Sequence, residues 1–411
     1  MLIMATKLNK KLLKTLSAVL FSAVVFVGCN DFFGDKTDLS FIDLPEFTNR
    51  DIAYVPIQPA WDQFVYPTDI CIGFDELLYV VDEATQQIIG LDESGREQGR
   101  FSVPGVTSVT QDRRFDLLAC GTLDTVSASG DPITLACIYR IRLLNQNGQY
   151  GIRYARIVNK IIHPFYSRSN VNAQDLTVRF GKVAIMASDI PSQNNRYYVT
   201  RQGQGGSSIL GPNDAVLIFS NTDQFETPIS VSTSSGIFNN FFQKPSGIAT
   251  YAVPPQIQAS QERHFFYSSV DPANELKVQF IEYIETDFGA EFRPVIFPVG
   301  DTSRADGFLF EPNKFSKPSA IAVAGDNTRF LFVVDEEKDS LFQFTRDGFE
   351  GVLPPPATGR TKLEKASFGG TGNGLTQFNR PSGVGYYRRI VYVADSGNGR
   401  ILRFRLTLDF N

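Results

Sequence analysis

The feature that most limits the fold of this chain is an internal repeat. Leu78–Gly95 (LYVVDEATQQIIGLDESG) and Leu331–Gly348 (LFVVDEEKDSLFQFTRDG) align without a gap, and Val391–Phe404 (VYVADSGNGRILRF) joins them. Each opens on an aromatic and β-branched run that ends in an acid: Asp82, Asp335 or Asp395. Six residues on, an apolar residue (Ile88, Leu341, Ile401) opens a second run. Two short apolar runs around a polar turn predict a β-hairpin. The repeated acids are expected to cap those turns by accepting backbone N–H bonds.

A second marker lies upstream. Phe-x-x-Pro occurs at Phe64–Pro67, Phe101–Pro104, Phe242–Pro245, Phe315–Pro318 and Phe378–Pro381, and three copies continue as KPSGIAT, KPSAIAV and RPSGVGY. Proline fixes φ and donates no hydrogen bond, so it predicts the start of a strand. The small residues behind it predict an innermost strand that approaches its neighbours closely. The phenylalanine is expected to wedge between adjacent sheets.

The interval from 104 to 245 is about twice each of the two that follow it and holds Gln174–Asp189 and Asp214–Asn221, which gives six units with room for four strands each. Outer strands are expected at Arg100–Val103, Tyr154–Ile161, Ile229–Ser232 and Val295–Val299. Six four-stranded antiparallel sheets in series specify an all-β chain, a six-bladed β-propeller. A sandwich would not repeat its turn chemistry at this period, and a helical solenoid needs a 3.6-residue period that is absent. The last unit stops after three strands, while Asp51–Ile57 (DIAYVPI) has no unit of its own. That segment is predicted to supply the missing strand and close the ring, from about 51 to 411, which removes the exposed edge.

Residues 1–28 carry Lys7, Lys10, Lys11 and Lys14, then the apolar run LSAVLFSAVVFVG, directly before Cys29. A basic region and a short apolar run describe an export signal. Ending on Phe26–Val27–Gly28–Cys29, it resembles a bacterial lipoprotein signal, which implies that Cys29 is lipidated and becomes the first residue. Residues 29–50 then form a tether, and its acidic start resembles that of surface-exposed lipoproteins of Bacteroidetes-type bacteria. The resemblance implies an outer-membrane location, held by the lipid and facing the cell surface. Cleavage would shift the net charge from −5 to −9, because the leader holds four lysines and no acid. Such a charge argues against nucleic acid as a partner.

The stretch Ser367–Tyr386 (SFGGTGNGLTQFNRPSGVGY), followed by VYVADSGNGRILRF, resembles the NHL repeat. The Phe–Gly, the spaced glycines, Gln377–Phe378–Asn379, Pro381, Gly383, Asp395, Asn398 and Arg400 fall where that pattern puts them. The resemblance implies a six-bladed propeller and no single activity.

Propellers of this kind include lyases and hydrolases with a metal on the axis. The chain has two histidines, His163 and His264, and neither falls in a proline-led strand. A histidine-built metal site is therefore not expected, nor is any cofactor. Cys120 and Cys137 lie in successive runs of the second unit and form a candidate disulfide pair, with buried free thiols as the equal alternative. Three long excursions, Gly121–Pro132, Ile190–Pro212 and Pro354–Thr376, are expected on one face as loops. The middle one carries Arg196, Tyr197, Tyr198 and Arg201, residue types enriched at protein interfaces. With no catalytic constellation in view, the expectation is a non-enzymatic protein. It would bind a protein or glycan partner, as an accessory subunit of an outer-membrane transport or assembly complex. The alternatives are a lyase or hydrolase with an axial calcium, and a structural envelope protein.

Overall fold

A computed structural model describes residues 52–203, 212–256, 263–287, 289–296 and 301–410. Cys29, the leader and the tether lie outside these residues. The chain begins with β1 (Tyr54–Pro56). Blade 1 holds β2 (Pro67–Ile72), β3 (Leu78–Asp82), β4 (Gln87–Leu91) and β5 (Glu97–Ser102). Blade 2 holds β6 (Ser108–Gln111), β7 (Asp116–Val126), β8 (Pro132–Arg142) and β9 (Arg156–Ile162). Blade 3 holds β10 (Arg179–Ile185), β11 (Tyr197–Gln202), β12 (Ala215–Phe219) and β13 (Phe225–Pro228). A hairpin of β14 (Val231–Thr233) and β15 (Gly236–Phe238) precedes blade 4, which holds β16 (Pro245–Ala249), β17 (Phe265–Ser269), β18 (Val278–Thr286) and β19 (Gly289–Val295). Blade 5 holds β20 (Pro318–Val323), β21 (Leu331–Asp335), β22 (Ser340–Phe344) and β23 (Phe368–Gly369). Blade 6 holds β24 (Pro381–Tyr387), β25 (Ile390–Asp395) and β26 (Arg400–Leu406), and β1 completes it.

This is the six-bladed, four-stranded propeller that the repeat predicts, latched by Tyr54↔Leu406, Val55↔Arg405 and Pro56↔Phe404. Two outer strands differ from expectation. Blade 3 ends on β13, and Val231 instead pairs with Phe292 of blade 4, which widens that sheet to six strands. Pro228 closes β13, having no N–H with which to continue it. The outer strand of blade 4 is β19, which ends at Val295 where one was expected to begin.

The repeat residues join the blades. Asp82 accepts the amides of Val65 (2.9 Å) and Tyr66 (3.1 Å), just ahead of Pro67. Asp335 likewise accepts Ser316 (2.6 Å) and Lys317 (3.0 Å), and Asp395 accepts Asn379 (2.7 Å). Asp335 also caps its own turn through Glu337 and Lys338. The acids are thus chiefly clasps on the segment before each proline. The serine after the proline reaches the next blade: Ser246 donates to the Pro318 carbonyl (2.6 Å), Ser319 to Pro381 (2.8 Å) and Ser382 to Thr68 (3.0 Å). Close approach explains the glycine that follows, since a Cβ on Gly383 would lie 2.9 Å from Asp69 Cα. Phe242, Phe315 and Phe378 are buried in clusters that draw on two adjacent blades each, as wedges must be.

The latch strand is amphipathic. Tyr54 is buried against Phe332 and Phe368, while Val55 is 38% exposed. Tyr54→Ala should therefore lower stability by about 3 kcal/mol in chemical denaturation. Val55→Ala should change it by less than about 0.5 kcal/mol.

Candidate functional site: the axial channel

The six inner strands surround an axial cavity of about 110 Å³. Its wall is mainly apolar, with Ile70, Ile72, Val109, Ile185, Ile248 and Val323 among its residues. Charge enters from two blades. Lys182 Nζ of blade 3 lies 2.5 Å from Asp69 Oδ1 of blade 1, with side chains 15% and 10% exposed. Asp69 Oδ2 accepts the amide of Val109 in blade 2 at 3.0 Å. One carboxylate thereby ties three blades around the axis. Among the described residues the ammonium bonds to Asp69 alone, although it carries three donors.

Local backbone geometry aims both groups. The pairing of β2 with β3 shifts register between Pro67 and Asp69, and that of β10 with β11 shifts between Phe180 and Val183. Such irregularities re-aim side chains. Asp69 follows the first shift and Lys182 sits inside the second. Asp69 also occupies the place, two after the proline, that Gly247, Ala320 and Gly383 hold in other blades. This break in the repeat was a readable signal for Asp69. Lys182, a cation inside the apolar run VRFGKVAIM, was a weaker one.

Polar groups also gather where the inner strands end. Asp75 accepts the Tyr79 hydroxyl (2.5 Å), Gln111 Nε2 (2.9 Å) and the Tyr150 hydroxyl. Tyr386, on the cavity wall, donates to Asp326 at 2.8 Å. Burial first, and then the adjacent Asp75 carboxylate, push the Tyr79 phenol far above its ordinary range. Burial and Asp326 do the same to Tyr386. These phenols are hydrogen-bond donors and not bases.

An axial calcium does not fit this donor set. Calcium takes six to eight oxygen ligands. The carboxylate on the cavity wall, Asp69, is committed to Lys182 and Val109. Among the described residues no group of three or more His, Cys, Asp or Glu side chains could hold a metal.

The residues singled out from sequence lie elsewhere. Arg196 immediately precedes β11, and Tyr197, Tyr198 and Arg201 are on it, not in a loop. Tyr197, Tyr198 and Arg201 are buried, in an aromatic and β-branched run that pairs on both sides. Asn195, at φ 61°, makes the tight turn that allows this strand. Arg196 ion-pairs with Glu226. Cys120 and Cys137 are neighbours in the β7–β8 ladder, but the register pairs Cys120 with Ile138 and Gly121 with Cys137. Side chains alternate along a strand, so this one-residue offset sends the sulfurs to opposite faces and into different core clusters. Both are free thiols pushed up to about 12 by burial.

No protein-family model and no curated protein sequence matches the chain. Solved structures do resemble it. A virginiamycin B lyase from Staphylococcus aureus is 12% identical (TM-score 0.42), covering 86% of this chain and 99% of its own. A gluconolactonase from Xanthomonas campestris is 11% identical (TM-score 0.43), covering 84% and 87%. An aldose sugar dehydrogenase from Streptomyces coelicolor is 13% identical (TM-score 0.47), covering 86% and 98%. At such identities the likeness is one of fold. The structures so matched are named as a lyase, a gluconolactonase and a sugar dehydrogenase, and on that finding the expectation of a non-enzymatic protein is withdrawn. That expectation rested on the lack of a familiar constellation in a propeller, and propellers of this architecture include enzymes of several classes.

Neither histidine lines the cavity. His264 Nδ1 accepts the Tyr283 amide at 3.0 Å. His163 is 1% exposed, and burial holds its imidazole down to about 4, against the opposing pull of Asp175. As pH falls, the unfolded chain takes up this proton near pH 6.5, while the folded chain refuses it until about pH 4. The residue's contribution is therefore complete above the unfolded value and is lost as pH falls through that window. The slope approaches about 1.4 kcal/mol per pH unit. Urea melts near pH 7 and near pH 5 should show a smaller decline in His163→Gln than in the parent protein.

Proposed function

We propose that this protein is an exported, lipid-anchored propeller of NHL type whose axial cavity takes a small organic molecule and acts on it as a lyase or hydrolase. The observation that carries the reading is the Lys182–Asp69 pair, set in an otherwise largely apolar cavity. An ammonium held in such surroundings is a preorganised donor for negative charge developing on a substrate oxygen. In ester or lactone hydrolysis, water adds to the carbonyl carbon and loses a proton to solvent, and the carbonyl electron pair moves onto its oxygen, where Lys182 meets it. The pair then returns as the acyl C–O bond breaks and the leaving oxygen takes a proton from water. In an elimination next to a carbonyl the α-proton passes to water, and the charge that develops on the carbonyl oxygen meets the same ammonium. The electron pair then returns to form the carbon–carbon double bond as the β-substituent leaves. Asp69 acts through Lys182, fixing its direction. At about 110 Å³ the cavity suits a group smaller than benzene, which fills a cavity of about 150 Å³.

Hydrolysis of γ-butyrolactone and phenyl acetate tests the reading. Lys182→Met should lower kcat by about 10²–10³-fold, the usual effect of losing such a donor. Because Lys182→Met strands a carboxylate, the Asp69→Asn/Lys182→Met double variant is the folded control. It should be equally inactive with an unchanged circular dichroism spectrum. Turnover that survives in both variants, or no turnover of either compound by the parent protein, overturns the assignment.

The lipid at Cys29 belongs to the same proposal, supported by the basic and apolar leader before it. Cys29→Ser should move the protein from the membrane fraction to the soluble fraction and abolish labelling by a fatty-acid analogue.

A further inference from the structure

The hairpin inserted between blades 3 and 4 has a consequence at their outer ends. After Pro228 the chain leaves blade 3 to pair with blade 4, and a cleft of about 300 Å³ remains between the two sheets. It is larger than the axial cavity, at about 110 Å³. Apolar side chains line its depth: Met186 and Ile218 of blade 3, and Phe292 of blade 4. Arg196 and Arg263 also line it, one from each blade.

Both guanidiniums are held in place. Arg263 stacks over the Tyr283 ring at 4.8 Å and donates through Nη1 to the Tyr283 hydroxyl (2.7 Å) and to Glu285 (2.6 Å). The side chain of Arg263 is 7% exposed, while that of Glu285 is 67% exposed. A carboxylate so open to water contributes little to an ion pair. An incoming anion can replace Glu285 without leaving a buried charge behind. Arg196 is paired with Glu226, with side chains 19% and 32% exposed, and also donates to Gln193. Tyr198 closes the inner end, its hydroxyl donating to the Arg263 carbonyl at 2.7 Å.

We propose that this cleft is a second ligand site, separate from the axial channel, for a small carboxylate with an aromatic or aliphatic body. The carboxylate takes a planar guanidinium fork at the rim, the geometry that favours arginine over lysine. The apolar body enters between Met186, Ile218 and Phe292. The volume is at the lower limit for small-molecule sites, about 300–1,000 Å³, so the body is a single ring or a short chain.

Calorimetric titration with 3-phenylpropionate tests this, with 3-phenylpropanol as the neutral counterpart. The acid should bind saturably at one site with a Kd of about 1 mM or below, and the alcohol at least about tenfold more weakly. Arg263→Met should weaken binding of the acid by about tenfold or more. Ala290→Trp, at an exposed position on the cleft wall, should block it while leaving Arg263 in place. The Asp69→Asn/Lys182→Met double variant should leave it unchanged, since that pair serves the other cavity. Equal binding of acid and alcohol, retention in both cleft variants, loss in the Asp69→Asn/Lys182→Met double variant, or no saturable binding would each overturn the proposal.

Discussion

A buried carboxylate at the end of a blade's second strand is the contact on which much of the ring depends. Asp82, Asp335 and Asp395 have no exposed surface. A buried charge is costly unless it is met by donors, and the nearest donors are the amides of the segment before the proline. Meeting that need fixes where each inner strand begins: Pro67, Pro318 and Pro381 stand opposite Asp82, Asp335 and Asp395. With the start fixed, Ser319 and Ser382, next in sequence, lie within reach of the following blade. A local electrostatic demand thus sets register, and register sets the contact between sheets.

The weaker repeats solve the same problem with other atoms. In blade 4, Pro245 stands opposite Ser269, whose hydroxyl donates to the Gln243 carbonyl at 2.6 Å. The polarity of the clasp is reversed while its place is kept. Just ahead of β12 in blade 3, Asp214 accepts the Gly203 amide and the Lys244 amide that precedes Pro245 of blade 4. In blade 2, Pro104 lies four residues ahead of β6, and its carbonyl accepts the Thr122 amide at 2.9 Å. A pattern of residue types cannot reveal these joins, because what repeats is the position of a hydrogen bond and not the group that makes it. For this reason the ring is legible in the sequence, while β11 lies inside what the residue types mark as a loop, and the outer strand of blade 3 falls earlier than Ile229–Ser232.

The cysteines show a similar boundary. Their nearness follows from two adjacent strands, which the sequence discloses. Whether they face each other depends on a single residue of register, which is set by the long β7–β8 ladder from Asp116↔Arg142 to Val126↔Pro132. Nothing within a few residues of Cys120 or Cys137 encodes that choice.

The channel pair stands where the repeat fails. Gly247, Ala320 and Gly383 keep the position after the bulge small, and at Gly247 and Gly383 this lets the inner strand of the adjacent blade approach closely. Asp69 breaks that rule in blade 1 and occupies the space the others leave open. A carboxylate there needs a cation, and the cation comes from blade 3, across 113 positions of sequence. The spacing has no local signature, since only closure of the ring brings the two together. Positions that obey the repeat hold the scaffold, and a chemically active group has to replace one of them or project from a bulge between them. Departures from the repeat on inner strands are therefore the better guide to chemistry in such a chain than the residues that make the repeat recognisable.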